Sequence, residues 1–130
     1  MIELQAAVFA KLSNDLSVPV YDAVPQPEDG GDIAEFPFVT IGEDTLIPFD
    51  TVDSIGYDAT LTIHTWSRQR GRKEVKELQQ AIYDSLHRQV LTVSDYHFIN
   101  MAFEYADSTV DSDGLTRHGV QRFRCIIEEI

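Results

Sequence analysis

The residues best suited to chemistry are four histidines, a single cysteine and a large set of carboxylates. His64, His87, His97 and His118 are scattered along the chain. None has a His, Cys or Glu at the spacing a metal ion requires, and neither HExxH nor a paired CxxC occurs. His64 falls on the polar side of an alternating stretch and His87 near the end of a helical one, so solvated or structural roles account for both. Asp111-x-Asp113-Gly114 matches the opening of a calcium loop, with Asp107 shortly upstream. Counted from Asp111, however, the position where such a loop needs its closing Glu is Arg122. A hairpin turn is the better reading. Cys125 lies between Phe123 and Ile127 on an apolar face, where burial disfavours the thiolate, so it reads as core rather than nucleophile. The carboxylates cluster beside Gly and Pro, where solvated loop surface is the default, and no GxSxG, Walker loop or GxGxxG is present. No catalytic, cofactor-binding or metal-binding residue is assigned, and the chain is expected not to be an enzyme.

One charged segment stands apart. Ser67-Arg68-Gln69-Arg70-Gly71-Arg72-Lys73 holds four of the ten basic residues, in a chain of net charge −12. Arg72 and Lys73 fall where a helix should begin, and cations there oppose the helix dipole by a few tenths of a kcal/mol, roughly. Acidity is concentrated elsewhere: residues 1–58 carry 12 acidic groups and one basic group, residues 59–130 carry 10 and nine. The acidic loop holding Glu28, Asp29, Asp32 and Glu35, or the one holding Glu43, Asp44, Asp50 and Asp53, is the natural counterpart of the basic run on a neighbouring copy. Opposite patches on different faces of one subunit favour head-to-tail association. In the second acidic loop, Leu46, Ile47 and Phe49 are large apolar groups that either fold back as a lid or dock into a partner. The acidic excess opposes direct gripping of DNA, because binders use Lys and Arg to displace counterions.

These side chains must be held by a scaffold that the apolar pattern outlines. Leu4, Val8 and Leu12, with Phe9 and Leu16 widening the stripe, predict a helix over residues 2–16. Pro19 and the run from Pro25 to Asp32 break regular structure, with Val20-Tyr21-Asp22-Ala23 between them able to be extended. Phe36–Ile41 predicts a first strand and 43–55 a long loop. Tyr57, Ala59, Leu61 and Ile63 alternate with Asp58, Thr60, Thr62 and His64, predicting a half-buried strand that ends at Trp66. Val75, Leu78, Ile82 and Leu86 predict a helix over 72–88, supported by the Lys73–Glu77 pair. Ile99, Met101, Phe103 and Tyr105 predict a third strand. Phe123, Cys125 and Ile127 predict a fourth, joined to the third as an antiparallel hairpin by the turn at Asp111–Gly114. The expected fold is α+β, in the order α-β-β-α-β-β: a mostly antiparallel four-stranded sheet with both helices on one face. At 130 residues with 43% hydrophobic content, the chain is expected to form one domain over 1–130. No apolar run is long enough to span a membrane, the start is a poor signal peptide, and one cysteine excludes an internal disulfide and fits a reducing cytoplasm.

The order and spacing of several segments resemble the tail-completion, or tail-terminator, proteins of long-tailed phages, prophages and gene transfer agents. They are the N-terminal helix, Val18-Pro19-Val20-Tyr21 before a proline-rich loop, Phe36-Pro37-Phe38-Val39-Thr40-Ile41-Gly42, and His64-Thr65-Trp66-Ser67 followed by Gly71 and a helix including Ile82 and Leu86. Asp107 near a strand tip, an acidic turn and Gly119-Val120-Gln121-Arg122-Phe123 complete the match. The resemblance covers nearly the whole chain. It implies a structural subunit that forms a ring, a hexamer, at the head-proximal end of the tail tube, stops tube growth and joins tail to head. Its implied partners are other copies of itself, the major tail tube protein and the head-connector protein. DNA passes through the ring without specific binding, no membrane is involved, and the place is the virion tail, assembled in the bacterial cytoplasm. It carries no catalytic residues and no cofactor. Two other classes compete: a small acidic, hydrolase-like enzyme using His64 or His118 as base, and an acidic DNA mimic.

Overall fold

The computed structural model describes residues 1–23 and 36–130. Two helices, α1 (Ile2–Asp15) and α2 (Lys73–Leu86), accompany five strands: β1 (Val20–Tyr21), β2 (Phe38–Pro48), β3 (Gly56–Ser67), β4 (Tyr96–Val110) and β5 (Arg117–Glu129). The strands form one sheet in the order β1-β2-β3-β5-β4. All pairings are antiparallel except β1 with β2, which run parallel. The fold is therefore α+β as expected, but the sheet is five-stranded and mixed rather than four-stranded. The fifth strand is the short Val20–Tyr21 piece.

The helices form where apolar residues recur at helical spacing. Leu4, Val8 and Leu12 are buried along α1, and Val75, Ile82 and Leu86 along α2. Phe9, expected to widen the α1 stripe, is instead 38% exposed. Both helices pack on one face of the sheet. Their stripes meet Val39, Ile41, Ala59, Leu61, Ile63, Met101, Phe123, Cys125 and Ile127 in a single apolar cluster. These strand residues sit opposite one another in register, as Ile41 with Ile63, Leu61 with Phe123, and Ala59 with Cys125. Opposed residues share a face, so the alternation along β3 and β5 places every intervening side chain on the other, helix-free face. Gly119 permits the close approach of α2 to β5: a Cβ there would lie 2.7 Å from the Gln79 amide nitrogen and 3.0 Å from Val75 Cγ1.

The sequence departs from the structure most in two places. Residues 43–48, expected to be loop, extend β2, so Thr45 pairs with Thr60 and Ile47 with Asp58. The pairing shifts register between Ile41 and Asp44, and such a bulge obscures the period-two pattern. Beyond Thr40 this strand has no neighbour on its outer side among the described residues, which is why it tolerates Pro48, a residue without an N–H to give. On β4, register shifts between Phe98 and Asn100 and between Phe103 and Tyr105 change the parity of the strand. Met101 and Phe103 point to the helices as expected, whereas Tyr105 lies opposite Arg122 on the open face and Ile99 is half-exposed.

Candidate subunit interface

The basic run forms the connection from β3 to α2, turned by Gly71 at φ +84°. Its members have different duties. Arg68 folds back on its own subunit: its Nε donates to Thr116 Oγ1 at 3.2 Å and its guanidinium lies 4.3 Å over the Phe36 ring. Thr116 is held in turn by Asp113, whose Oδ1 accepts from the Leu115 and Thr116 amides at 2.8 Å and whose Oδ2 accepts from the Thr116 hydroxyl at 2.7 Å. Those donors, with Arg68 nearby, bring the Asp113 carboxyl down to about 2. The acidic segment is thus a turn whose key carboxylate is already committed, as the hairpin reading expected. Arg70 and Arg72 are exposed and form no ion pair among the described residues. Lys73 reaches Glu77 at 3.8 Å with both side chains largely solvated, a contact worth little. The first turn of α2 is steadied by Ser67, whose hydroxyl donates to Glu74 at 2.6 Å.

The acidic candidates divide as well. Glu28, Asp29, Asp32 and Glu35 lie outside the described residues. Glu43 Oε1 sits 3.0 Å from His64 Nε2, and Asp44 Oδ2 lies 3.4 Å from the Met1 amino group, so both have partners within the subunit. Asp50 and Asp53 lie at the β2–β3 turn, where Asp50 accepts from the Gly56 amide at 3.3 Å and Asp53 from the Thr51 hydroxyl at 3.2 Å. The apolar trio does not form a lid: Leu46, Ile47 and Phe49 are 42%, 59% and 50% exposed along the outer part of β2 and its exit. Sequence reasoning missed that Val52 and Ile55 in the same turn, and Ile130 beside it, are exposed too. It also missed Glu128 and Glu129, which register brings next to the turn: the Glu129 amide donates to the Ile55 carbonyl at 2.8 Å.

The two ends of the sheet differ in charge. The β3–α2 connection and Arg117 lie at one end, where Asp113 is held in the β4–β5 turn and Asp111 lies near His118, and Asp50, Asp53, Glu128 and Glu129 lie at the other. A strand of the length of β3 separates them, about 40 Å at ordinary strand rise.

The open face carries a constellation that no spacing in the sequence showed. His64 Nδ1 and His118 Nε2 are 2.6 Å apart, Glu43 takes the far side of His64, and Asp111 Oδ1 lies 4.0 Å from His118 Nδ1. Trp66 stacks on His118 with ring centres 3.9 Å apart and hydrogen-bonds Thr40 through Nε1 at 3.1 Å. Phe38, fully buried on this face, packs against Tyr21, Phe36 and Trp66. Gly42 admits the His64 ring, because a Cβ there would come within 2.4 Å of His64 Nε2. Burial and the neighbouring His64 push the His118 imidazole below its ordinary value. Only strand pairing joins these histidines, since His118 faces Trp66 and Val120 faces His64 across β3 and β5. Their polar-face positions on two strands were the available signal. His87 is structural, accepting from the Phe103 amide at 3.0 Å, and the Cys125 thiol is pushed up to about 12 by burial, in keeping with a core role. Among the described residues no group of three or more His, Cys, Asp or Glu is placed to hold a metal.

The fold is shared with a known assembly. The chain superposes on a component of a native gene transfer agent virion with a TM-score of 0.82 and 24% identity, over 96% of this chain and 94% of that one. The tail completion protein gp17 of Bacillus phage SPP1 is 28% identical over 110 residues, covering 84% of this chain and 81% of the relative. Residues 6–128, nearly the whole chain, match the family described as Tail completion protein gp17. The chain belongs to that family, and its role is that of a structural protein of the phage tail.

Proposed function

We propose that this subunit, with residues 1–130 acting as one unit, assembles into a hexameric ring at the head-proximal end of the tail tube. There it ends tube growth and makes the joint to the head. Copies associate head to tail, the basic connection of one subunit facing acidic surface of the next, while Leu46, Ile47 and Phe49 dock on the tube protein or the head connector. The observation that carries this reading is that Arg70 and Arg72 stand exposed at one end of the sheet and Asp50, Asp53, Glu128 and Glu129 lie at the other, with exposed apolar side chains beside the acidic end. Opposite patches that cannot meet within a subunit can meet between subunits, and repetition of such a contact closes a ring when the rotation per step divides a full turn. DNA passes the ring without being held, because the net charge of −12 repels phosphate. The His64–His118 pair is read as structural, stacked against Trp66 and bonded to Glu43.

The test is the double reversal Arg70→Glu with Arg72→Glu. Both side chains are exposed, so circular dichroism of the isolated protein should be unchanged. Electron microscopy of particles made with the variant should show overlong or headless tails in place of completed ones. Normal tails from the double variant would remove the basic connection from the interface.

A further inference from the structure

The acidic end of the sheet is more than a charged surface. The β2–β3 turn and the end of β5 enclose an open cleft of about 620 Å3, lined by Val52, Asp53, Ile55, His97, Glu128 and Glu129 among others. No Lys or Arg lines it among the described residues. Its walls are braced to the sheet, since the Thr51 amide donates to the Ser54 carbonyl at 2.9 Å, Phe49 to Gly56 at 2.8 Å and Glu129 to Ile55 at 2.8 Å. Within those walls Val52 is fully exposed, Ile55 is 48% exposed and Ile130 81% exposed. Apolar groups of this size left uncovered and rimmed by carboxylates mark a docking surface.

We infer that this cleft receives the Arg70–Arg72–Lys73 face of a second copy, so that the ring contact is made by the sheet end rather than by Glu43 and Asp44. The inference rests on the head-to-tail ring proposed above and names its acidic half. Glu43 and Asp44 are already engaged by His64 and the Met1 amino group, whereas Glu128 forms no ion pair among the described residues. Long basic side chains suit the site because their aliphatic stems can lie along Val52 and Ile55 while their charged ends reach Asp53, Glu128 and Glu129. Gly71 presents Arg70 and Arg72 on either side of a tight turn, a shape narrow enough to enter.

A charge-swap experiment in the whole chain, read as the yield of completed tails, tests the contact. Glu128→Arg with Glu129→Arg, checked for fold by circular dichroism, should lower that yield by at least about tenfold, as loss of close interfacial charge pairs does. Val52→Arg, which puts a like charge against the incoming basic face at a side chain with no packing to lose, should also lower it. Combining the acidic-end reversal with Arg70→Glu and Arg72→Glu should restore completion. If the acidic-end reversal and Val52→Arg both complete tails normally while the basic reversal fails, the ring stands and the cleft is the wrong surface. If the combined variant does no better than the separate ones, the two patches do not touch. If neither reversal has any effect, the head-to-tail ring itself falls.

Discussion

The two faces of the sheet are built on different principles. On the helix-covered face, Leu61, Ile63, Phe123, Cys125 and Ile127 interlock with stripes from α1 and α2, and stability comes from apolar area removed from water. On the open face, Arg124 binds Asp58, Arg122 reaches Glu104 at 3.2 Å, and an aromatic stack runs from Phe38 through Trp66 to His118. The first face fixes the fold. The second adds specific polar pairings to a framework already determined.

That contrast can be broken most forcefully from the covered side. Phe123→Ala removes a fully buried ring packed edge-on to Phe103, and chemical denaturation should show a loss of about 3–5 kcal/mol. A loss comparable to that of surface changes would mean that the helices do not carry the fold. On the open side, Gly42→Ala forces the His64 ring from the backbone, and the same measurement should show a smaller loss, about 1–3 kcal/mol as for overpacking. The smallest effect is one of pH. The folded state lowers the His118 value, so stability is fully present above the ordinary histidine value near 6.5 and falls as pH drops below it, because the unfolded chain takes up the proton first. His118→Phe keeps a ring against Trp66 but cannot titrate. Its stability curve between about pH 7 and pH 5 should be flatter than that of the parent chain. An unchanged slope would place the titration elsewhere.

Much of the covered face was legible in the sequence because it obeys local periods. The stripe Val75–Ile82–Leu86 and the alternation Ala59–Leu61–Ile63 each place their residues on one side without reference to any other segment. Tyr105 and residues 43–48 were misread because bulges break those periods, and a bulge is decided by the partner strand. The candidate interface was legible only in part. Exposed Arg70 and Arg72 follow from composition, but the engagement of Arg68 with Thr116, the pairing of Glu43 with His64 and the arrival of Glu128 and Glu129 beside the β2–β3 turn all depend on long-range register. The same holds for His64 and His118, separated by 54 positions and joined at 2.6 Å.

The register breaks on β2 and β4 have one more consequence. These are the strands whose outer margins could accept another chain through main-chain hydrogen bonds, and neither offers a straight run: one is kinked after Ile41 and closes in Pro48, the other is kinked twice around Ile99 and Glu104. A sheet with spoiled rims cannot be lengthened strand by strand into a ribbon or fibril. Edge-to-edge growth is thereby disfavoured, and contact between copies is left to side-chain recognition.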